Sequence, residues 1–63
     1  MTQKELLYVE DAIEHEKCII SYLEEMLQSL EDEDLISFSN KELKNHQKEQ
    51  KDLIKLLEEK ENE

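Results

Sequence analysis

A carboxylate interrupts an otherwise aliphatic stripe in the first half of the chain. Residues recur there at alternating steps of three and four, which is the spacing of one face of an α-helix. Glu16 holds the fourth of eight positions, and the other seven are Leu6, Val9, Ile13, Ile20, Leu23, Leu27 and Leu30. Burial of an unpaired carboxylate costs several kcal/mol. We therefore expect Glu16 to be paired, protonated or bound to a metal ion.

A second polar interruption lies in the other half of the chain. The apolar stripe there consists of Ile36, Leu43, His46, Gln50, Leu53 and Leu57, with Leu35 and Leu56 beside it. His46 and Glu49 are three residues apart and so share one helix face. An antiparallel hairpin that turns near Asp32 and Glu33 places Glu16 opposite Glu49, so the polar positions of both halves meet at one level.

This polar level has two interpretations. In the first, Glu16 forms a buried hydrogen bond with His46 or Gln50 that specifies the register, and no cofactor is required. In the second, Glu16, His46 and Glu49 bind iron, manganese or zinc. Two-fold pairing of chains would then supply four carboxylates and two imidazoles, which is the ligand set of di-iron carboxylate bundles.

The elements that carry these residues are predicted to be two helices in a single domain, residues 1–63. The chain has no glycine and no proline, and Thr2 and Glu5 form a capping-box pattern. The apolar phase slips by two residues across the acidic segment 31–34, which indicates a turn rather than one long rod. We expect helices over about 3–30 and about 35–60. Asp32 or Asp34 would cap the second helix, with Ser39 as a later alternative.

Size and stripe width predict a homodimer. A chain of 63 residues is marginally stable alone, and its single cysteine, Cys18, excludes an internal disulfide. Ala12, Ile19 and Met26 widen the first stripe beyond what one partner helix covers. We therefore expect an all-α antiparallel hairpin that dimerises into a four-helix bundle, with Phe38 over the turn end of the core.

The charge balance excludes several classes of partner. Eighteen acidic residues against eight lysines give a net charge of −10, so nucleic acid and anionic membranes are unfavourable partners. The sequence shows no membrane-spanning run and no signal peptide, and a lone cysteine fits a reducing compartment, so a cytoplasmic location is expected. His15 and Cys18 are expected on the surface, and no phosphate loop or Ser-His-Asp arrangement is evident.

Two segments together resemble the ferritin superfamily, most closely its rubrerythrin-like and spore-coat F-type branches. The segment 12–17 carries the A-x-x-x-E pattern, Ala12 to Glu16, and 43–49 carries a histidine and a carboxylate one turn apart. The resemblance spans about Lys4 to Leu57 and implies a metal-binding bundle. The order His46-x-x-Glu49 reverses the family's Glu-x-x-His, Leu23 replaces its usual tyrosine, and this chain supplies two of its four helices.

Three functions are therefore considered. The leading prediction is a small, non-catalytic structural or protein-interaction module that self-associates. The first alternative is a ferritin-like dinuclear metal-binding bundle built from two chains. The second is a small phosphorelay-regulating phosphatase, whose Ser-Gln-Glu-Leu-Asp motif compares poorly with segment 39–44, which has an extra residue and ends in lysine.

Overall fold

The chain forms a hairpin of two long helices. The structure, a computed structural model, describes residues 1–61 and contains α1 (Gln3–Leu27) and α2 (Glu33–Glu61). The hairpin is 47 Å long, and its helices pack against each other along their length. The all-α, two-helix prediction is confirmed. Neither helix, over the described residues, carries a stretch long and apolar enough to cross a membrane.

The start of α1 is fixed by the predicted capping box. The backbone N–H of Glu5 donates to Thr2 Oγ1 at 3.1 Å, and the backbone N–H of Thr2 donates to Glu5 Oε1 at 2.8 Å. These bonds satisfy two donors that a helix start otherwise leaves without partners. The hydrogen bond from the Thr2 backbone also lowers the pKa of the Glu5 carboxyl.

The end of α1 comes earlier than the apolar stripe indicates. The helix ends at Leu27 rather than near residue 30, and the connection occupies residues 28–32 rather than 31–34. The N–H groups of Gln28 and Ser29 donate to carbonyls three residues earlier, which tightens the last turn. Leu30 is half-buried although it lies outside the helix. Because it fits the spacing of the apolar stripe, the sequence predicted a helix that extends to residue 30.

The start of α2 is capped by Asp32. Its Oδ1 accepts from the N–H of Leu35 at 3.0 Å, and its carbonyl accepts from the N–H of Ile36 at 2.9 Å. Asp34 lies within the first turn, where a negative charge is favourable at the positive end of the helix dipole. The alternative start at Ser39 is wrong, because Ser39 lies inside α2.

The interior of this hairpin is thin. Ile20, at 9% exposed, is the only buried apolar residue among residues 1–61, and Ser39 is the only buried polar one. Ser39 lies three residues after Ile36 and four before Leu43, so it belongs to the stripe of α2 that faces α1. Its side chain is small and is buried at this contact. Phe38 was expected to cover the turn end of the core, but it is 62% exposed, because it lies on the flank of α2 rather than on the stripe.

Candidate functional site

A short polar contact joins the two helices midway along the hairpin. His46 Nδ1 of α2 lies 2.6 Å from Glu16 Oε2 of α1. The Glu16 side chain is 12% exposed and the His46 side chain is 23% exposed, so water only partly screens the contact. When Nδ1 carries a proton, it donates to the carboxylate. The carboxylate in the aliphatic stripe is therefore paired, as the first interpretation of the polar level predicted.

Two more carboxylates approach the same imidazole. Glu49 Oε2 lies 3.6 Å from His46 Nδ1, and Glu42 Oε2 lies 3.6 Å from His46 Nε2. Both distances are too long for hydrogen bonds, but they are within the range of ion pairs with a protonated ring. Both residues are on α2, three positions after and four positions before His46, where the helix turn brings them to its side.

These carboxylates favour the charged imidazole. The hydrogen bond with Glu16 raises the pKa of His46 above its usual value of 6.5, and the charges of Glu16, Glu49 and Glu42 add to this effect. Partial burial of the ring acts in the opposite direction but is the smaller influence. The cluster therefore holds a proton more tightly than an isolated histidine does, and a cation is the species that it attracts.

A second polar contact between the helices lies beside the first. Gln50 Nε2 donates to the backbone carbonyl of Ile13 at 3.5 Å, one turn from the contact between His46 and Glu16. The sequence placed Glu49 directly opposite Glu16, but His46 takes that position. Because α1 ends near Leu27, the turn is centred earlier and the facing residue on α2 shifts toward its N-terminus.

All three predicted ligand residues come together. One ligand atom from each of Glu16, His46 and Glu49 lies within 4.8 Å of the others. Carboxylate oxygens combined with an imidazole nitrogen form a donor set that first-row divalent metals accept. The residues present therefore fit a metal ion in type and in spacing. The cluster suits cation binding, whether the cation is a proton or a metal.

Glu42 belongs to the cluster although sequence reasoning missed it. The site predicted from the sequence contains Glu16, His46 and Glu49 and does not include Glu42. Its position four residues before His46 places it on the same helix face, and this i, i+4 spacing was the signal that could have identified it. The two residues expected on the surface, His15 and Cys18, are exposed as predicted.

Comparison of the chain with protein-family models, with curated proteins and with solved structures found no match. The resemblance to the ferritin superfamily therefore stays a prediction based on the residues quoted above. Functional inference depends on the hairpin and its side chains alone.

Proposed function

We propose that this chain is a small, non-catalytic, cytoplasmic interaction module that pairs with a second copy of itself to form a four-helix bundle. The observation that carries the proposal is the thin interior of the hairpin. Among residues 1–61 only Ile20 is a buried apolar residue, the other aliphatic residues of the two stripes are half-buried, and eight large apolar side chains keep 38–67% of their surface exposed. A core of this size gives only marginal stability to a single chain of this length.

The exposed apolar residues are concentrated on one flank of the hairpin. On α1, Tyr8 and Tyr22 lie on a second three-four track that also holds the half-buried Ala12, Ile19 and Met26. On α2, Leu35 and Leu56 lie on one track of seven-residue steps, with Glu42 and Glu49 at the two steps between them. Tyr8 and Leu56 line one shallow groove, so the two tracks lie on the same side of the hairpin. We call this side the docking face, and its apolar members are Tyr8, Ala12, Ile19, Tyr22, Met26, Leu35, Phe38 and Leu56.

A second copy is the occupant that fits this face best. The Cα atoms of the hairpin span 47 by 15 Å, so a standard stable interface of roughly 800 Å² per partner requires a second copy to cover nearly the whole broad side. A two-fold dimer places the same face of each hairpin against the other and needs only one kind of surface. The product is a four-helix bundle whose apolar layer is shared by both chains.

The test is a measurement of molecular mass by sedimentation equilibrium or light scattering. A dimer of the 7.6 kDa chain has a mass of about 15 kDa. Phe38→Glu introduces a charge on the docking face, whereas Leu7→Glu introduces the same charge at a leucine on the outer side of α1. Phe38 is 62% exposed and Leu7 is 59% exposed, so the two changes are matched within one hairpin.

We expect Leu7→Glu to remain a dimer and Phe38→Glu to become a monomer. A folded wild-type monomer at micromolar concentration would contradict the proposal. Equal effects of the two substitutions would contradict the choice of the docking face.

A second candidate function is a metal-binding bundle assembled from two chains, ferritin-like in its ligand set. The cluster of Glu16, His46 and Glu49 supports it, because two-fold pairing would double these ligands. Metal analysis of the protein as purified separates this candidate from the first. More than a trace of iron, manganese or zinc favours the metal-binding bundle, and its absence from protein purified without chelators counts against it.

A further inference from the structure

We propose that each single hairpin binds one first-row divalent metal ion through His46 Nδ1, Glu16 and Glu49, with Glu42 orienting the imidazole from its opposite side. The inference shares its residues with the second candidate function, but it requires only one chain. It also assigns the ligating nitrogen and gives Glu42 a role.

The spacing of the ligand atoms suits a metal ion after a small adjustment. Metal bonds of about 2.1 Å place neighbouring ligand atoms about 3.0 Å apart at an octahedral ion and about 3.4 Å apart at a tetrahedral one. Glu49 Oε2 lies 3.6 Å from His46 Nδ1, which is close to the second value. Glu16 Oε2 lies 2.6 Å from the same nitrogen and has to withdraw by less than about 1 Å. The carboxylate oxygens of Glu16 and Glu49 lie within 4.8 Å of each other and have to approach by up to about 1.4 Å.

The two ring nitrogens have different neighbours. Nδ1 faces Glu16 and Glu49, whereas Nε2 faces Glu42 alone. A metal-binding histidine commonly directs its other N–H toward a carboxylate, which sets the tautomer and the angle of the ring. Glu42 Oε2 lies 3.6 Å from Nε2 and has to approach by about 0.7 Å to accept this hydrogen bond. When the ion binds, the proton on Nδ1 leaves to solvent and Nε2 keeps its proton beside Glu42.

The ligand types indicate the class of ion. Imidazole nitrogen favours zinc, iron and similar metals, whereas calcium and magnesium prefer sites made only of oxygen. Two carboxylates and one imidazole therefore predict Zn²⁺, Fe²⁺ or Mn²⁺ rather than Ca²⁺ or Mg²⁺. This distinction matters because a chain with net charge −10 attracts any divalent cation without a specific site.

The first experiment compares thermal unfolding of the metal-stripped full chain with added Zn²⁺, Mn²⁺ or Ca²⁺. An ion that binds the native state raises the melting temperature, and the rise grows with the logarithm of the free ion concentration once that exceeds the dissociation constant. We expect a rise with Zn²⁺ and Mn²⁺ and a smaller one with Ca²⁺. No rise with any ion, or an equal rise with all three, would overturn the proposal, since the second result is what counterion screening alone predicts.

Matched variants identify the ligands by zinc titration calorimetry. We expect Glu49→Gln to weaken zinc binding at least tenfold, whereas Glu58→Gln, the same change at an exposed site on α2, leaves it unchanged. We expect His46→Gln to abolish binding and His15→Gln to leave it unchanged. Glu49 is 60% exposed, so its substitution tests the proposal even if His46→Gln does not fold. Retained binding in Glu49→Gln contradicts the ligand set.

Two further measurements test the assigned nitrogen and the number of chains. Long-range ¹H–¹⁵N NMR of the zinc-loaded protein should show His46 protonated at Nε2, with His15 as an internal reference.

We expect Glu42→Gln to weaken zinc binding while the visible spectrum of the Co²⁺ form is retained, as a positioning role requires. Phe38→Glu should still bind one zinc ion per chain. Circular dichroism of this variant shows whether the single hairpin is still helical. Loss of zinc binding by a helical monomer would overturn the single-chain site, whether or not the wild-type chain forms a dimer.

Discussion

His46 Nδ1 and Glu16 Oε2 lie 2.6 Å apart, and they belong to different helices, thirty residues apart in the sequence. The pair lies within a row of aliphatic residues, and a register shifted by one helical turn would place Glu16 opposite Leu43 or Gln50 instead of His46. An ion pair of this kind adds little net stability compared with a well-packed apolar pair. Its larger effect is to penalise wrong registers, and Gln50 bonded to the Ile13 carbonyl acts in the same way one turn away.

The first prediction concerns the pH dependence of stability in the metal-free protein. The pKa of His46 is raised in the native state, so the stabilising contact is fully present below the unfolded-state value of about 6.5. Stability from this contact is lost as the pH rises through the higher native pKa. We therefore expect the urea midpoint to fall from about pH 5.5 to about pH 8.5 at fixed protein concentration.

Two histidine variants isolate this contribution. His15→Gln removes an exposed imidazole and should retain the fall, whereas His46→Gln should remove the part due to the contact. An unchanged pH profile in His46→Gln would show that the acidic side chains alone cause it. Chelator is present throughout, because a bound metal ion would replace the proton.

The second prediction concerns Glu16→Leu, which restores the aliphatic stripe. At a pH above the raised native pKa of His46 the imidazole is neutral, so leucine should raise the melting temperature or leave it unchanged. At about pH 5.5 the protonated His46 loses its closest partner, so the same substitution should be less favourable. The difference between the two conditions is measured by thermal unfolding with chelator. An equal effect at both pH values would mean that the charge of His46 does not depend on Glu16.

Much of this architecture follows from the sequence because the two apolar stripes are out of phase. A two-residue slip across four consecutive acids requires a turn, and the capping box at Thr2 fixes one helix start without any tertiary information. The end of α1 was not predictable in this way, since Leu30 fits both a longer helix and a half-buried turn. Tertiary packing decides between them, and a periodic pattern contains no record of that packing.

The candidate site was predictable in its composition and only partly in its geometry. Glu16 stands out because a charged residue in an aliphatic stripe requires an explanation, and His46 is the histidine on the opposing stripe. Which residue faces Glu16 depends on where the turn is centred. Because the predicted end of α1 was three residues too late, the sequence placed Glu49 opposite Glu16, where the structure has His46. Glu42 escaped notice because its four-residue spacing from His46 is common among exposed charged residues and becomes informative only beside a buried partner.

A third prediction distinguishes the two acids that the sequence offered as the cap of α2. Asp32→Ala removes the acceptor of the Leu35 N–H and should cost about 1 kcal/mol of stability. Asp34→Ala removes a charge near the helix N-terminus and should cost a smaller amount, about 0.5 kcal/mol. Urea unfolding of both variants at equal concentration provides the comparison. The reverse order would assign the cap to Asp34.

A fourth prediction concerns the thin interior of the hairpin. Ile20 is 9% exposed, and its replacement by alanine should cost about 2–4 kcal/mol, enough to lower helicity measured by circular dichroism. Ile54 is 38% exposed, so Ile54→Ala in α2 should cost less than about 1 kcal/mol. Similar losses for both residues would indicate that pairing buries Ile54 as well, which would enlarge the docking face beyond the flank defined above.

The fifth prediction concerns the dependence of pairing on salt. Each chain carries a net charge of −10, so two chains repel each other while their apolar faces attract. Sodium chloride screens the repulsion more strongly than it affects apolar contact, and we therefore expect the dimer to tighten several-fold between about 0.05 M and about 0.5 M. Glu24→Lys changes the net charge from −10 to −8 and should tighten the dimer at low salt. Sedimentation equilibrium measures both effects. If the dimer weakens with added salt, attraction between opposite charges holds it together, and the apolar docking face is not its basis.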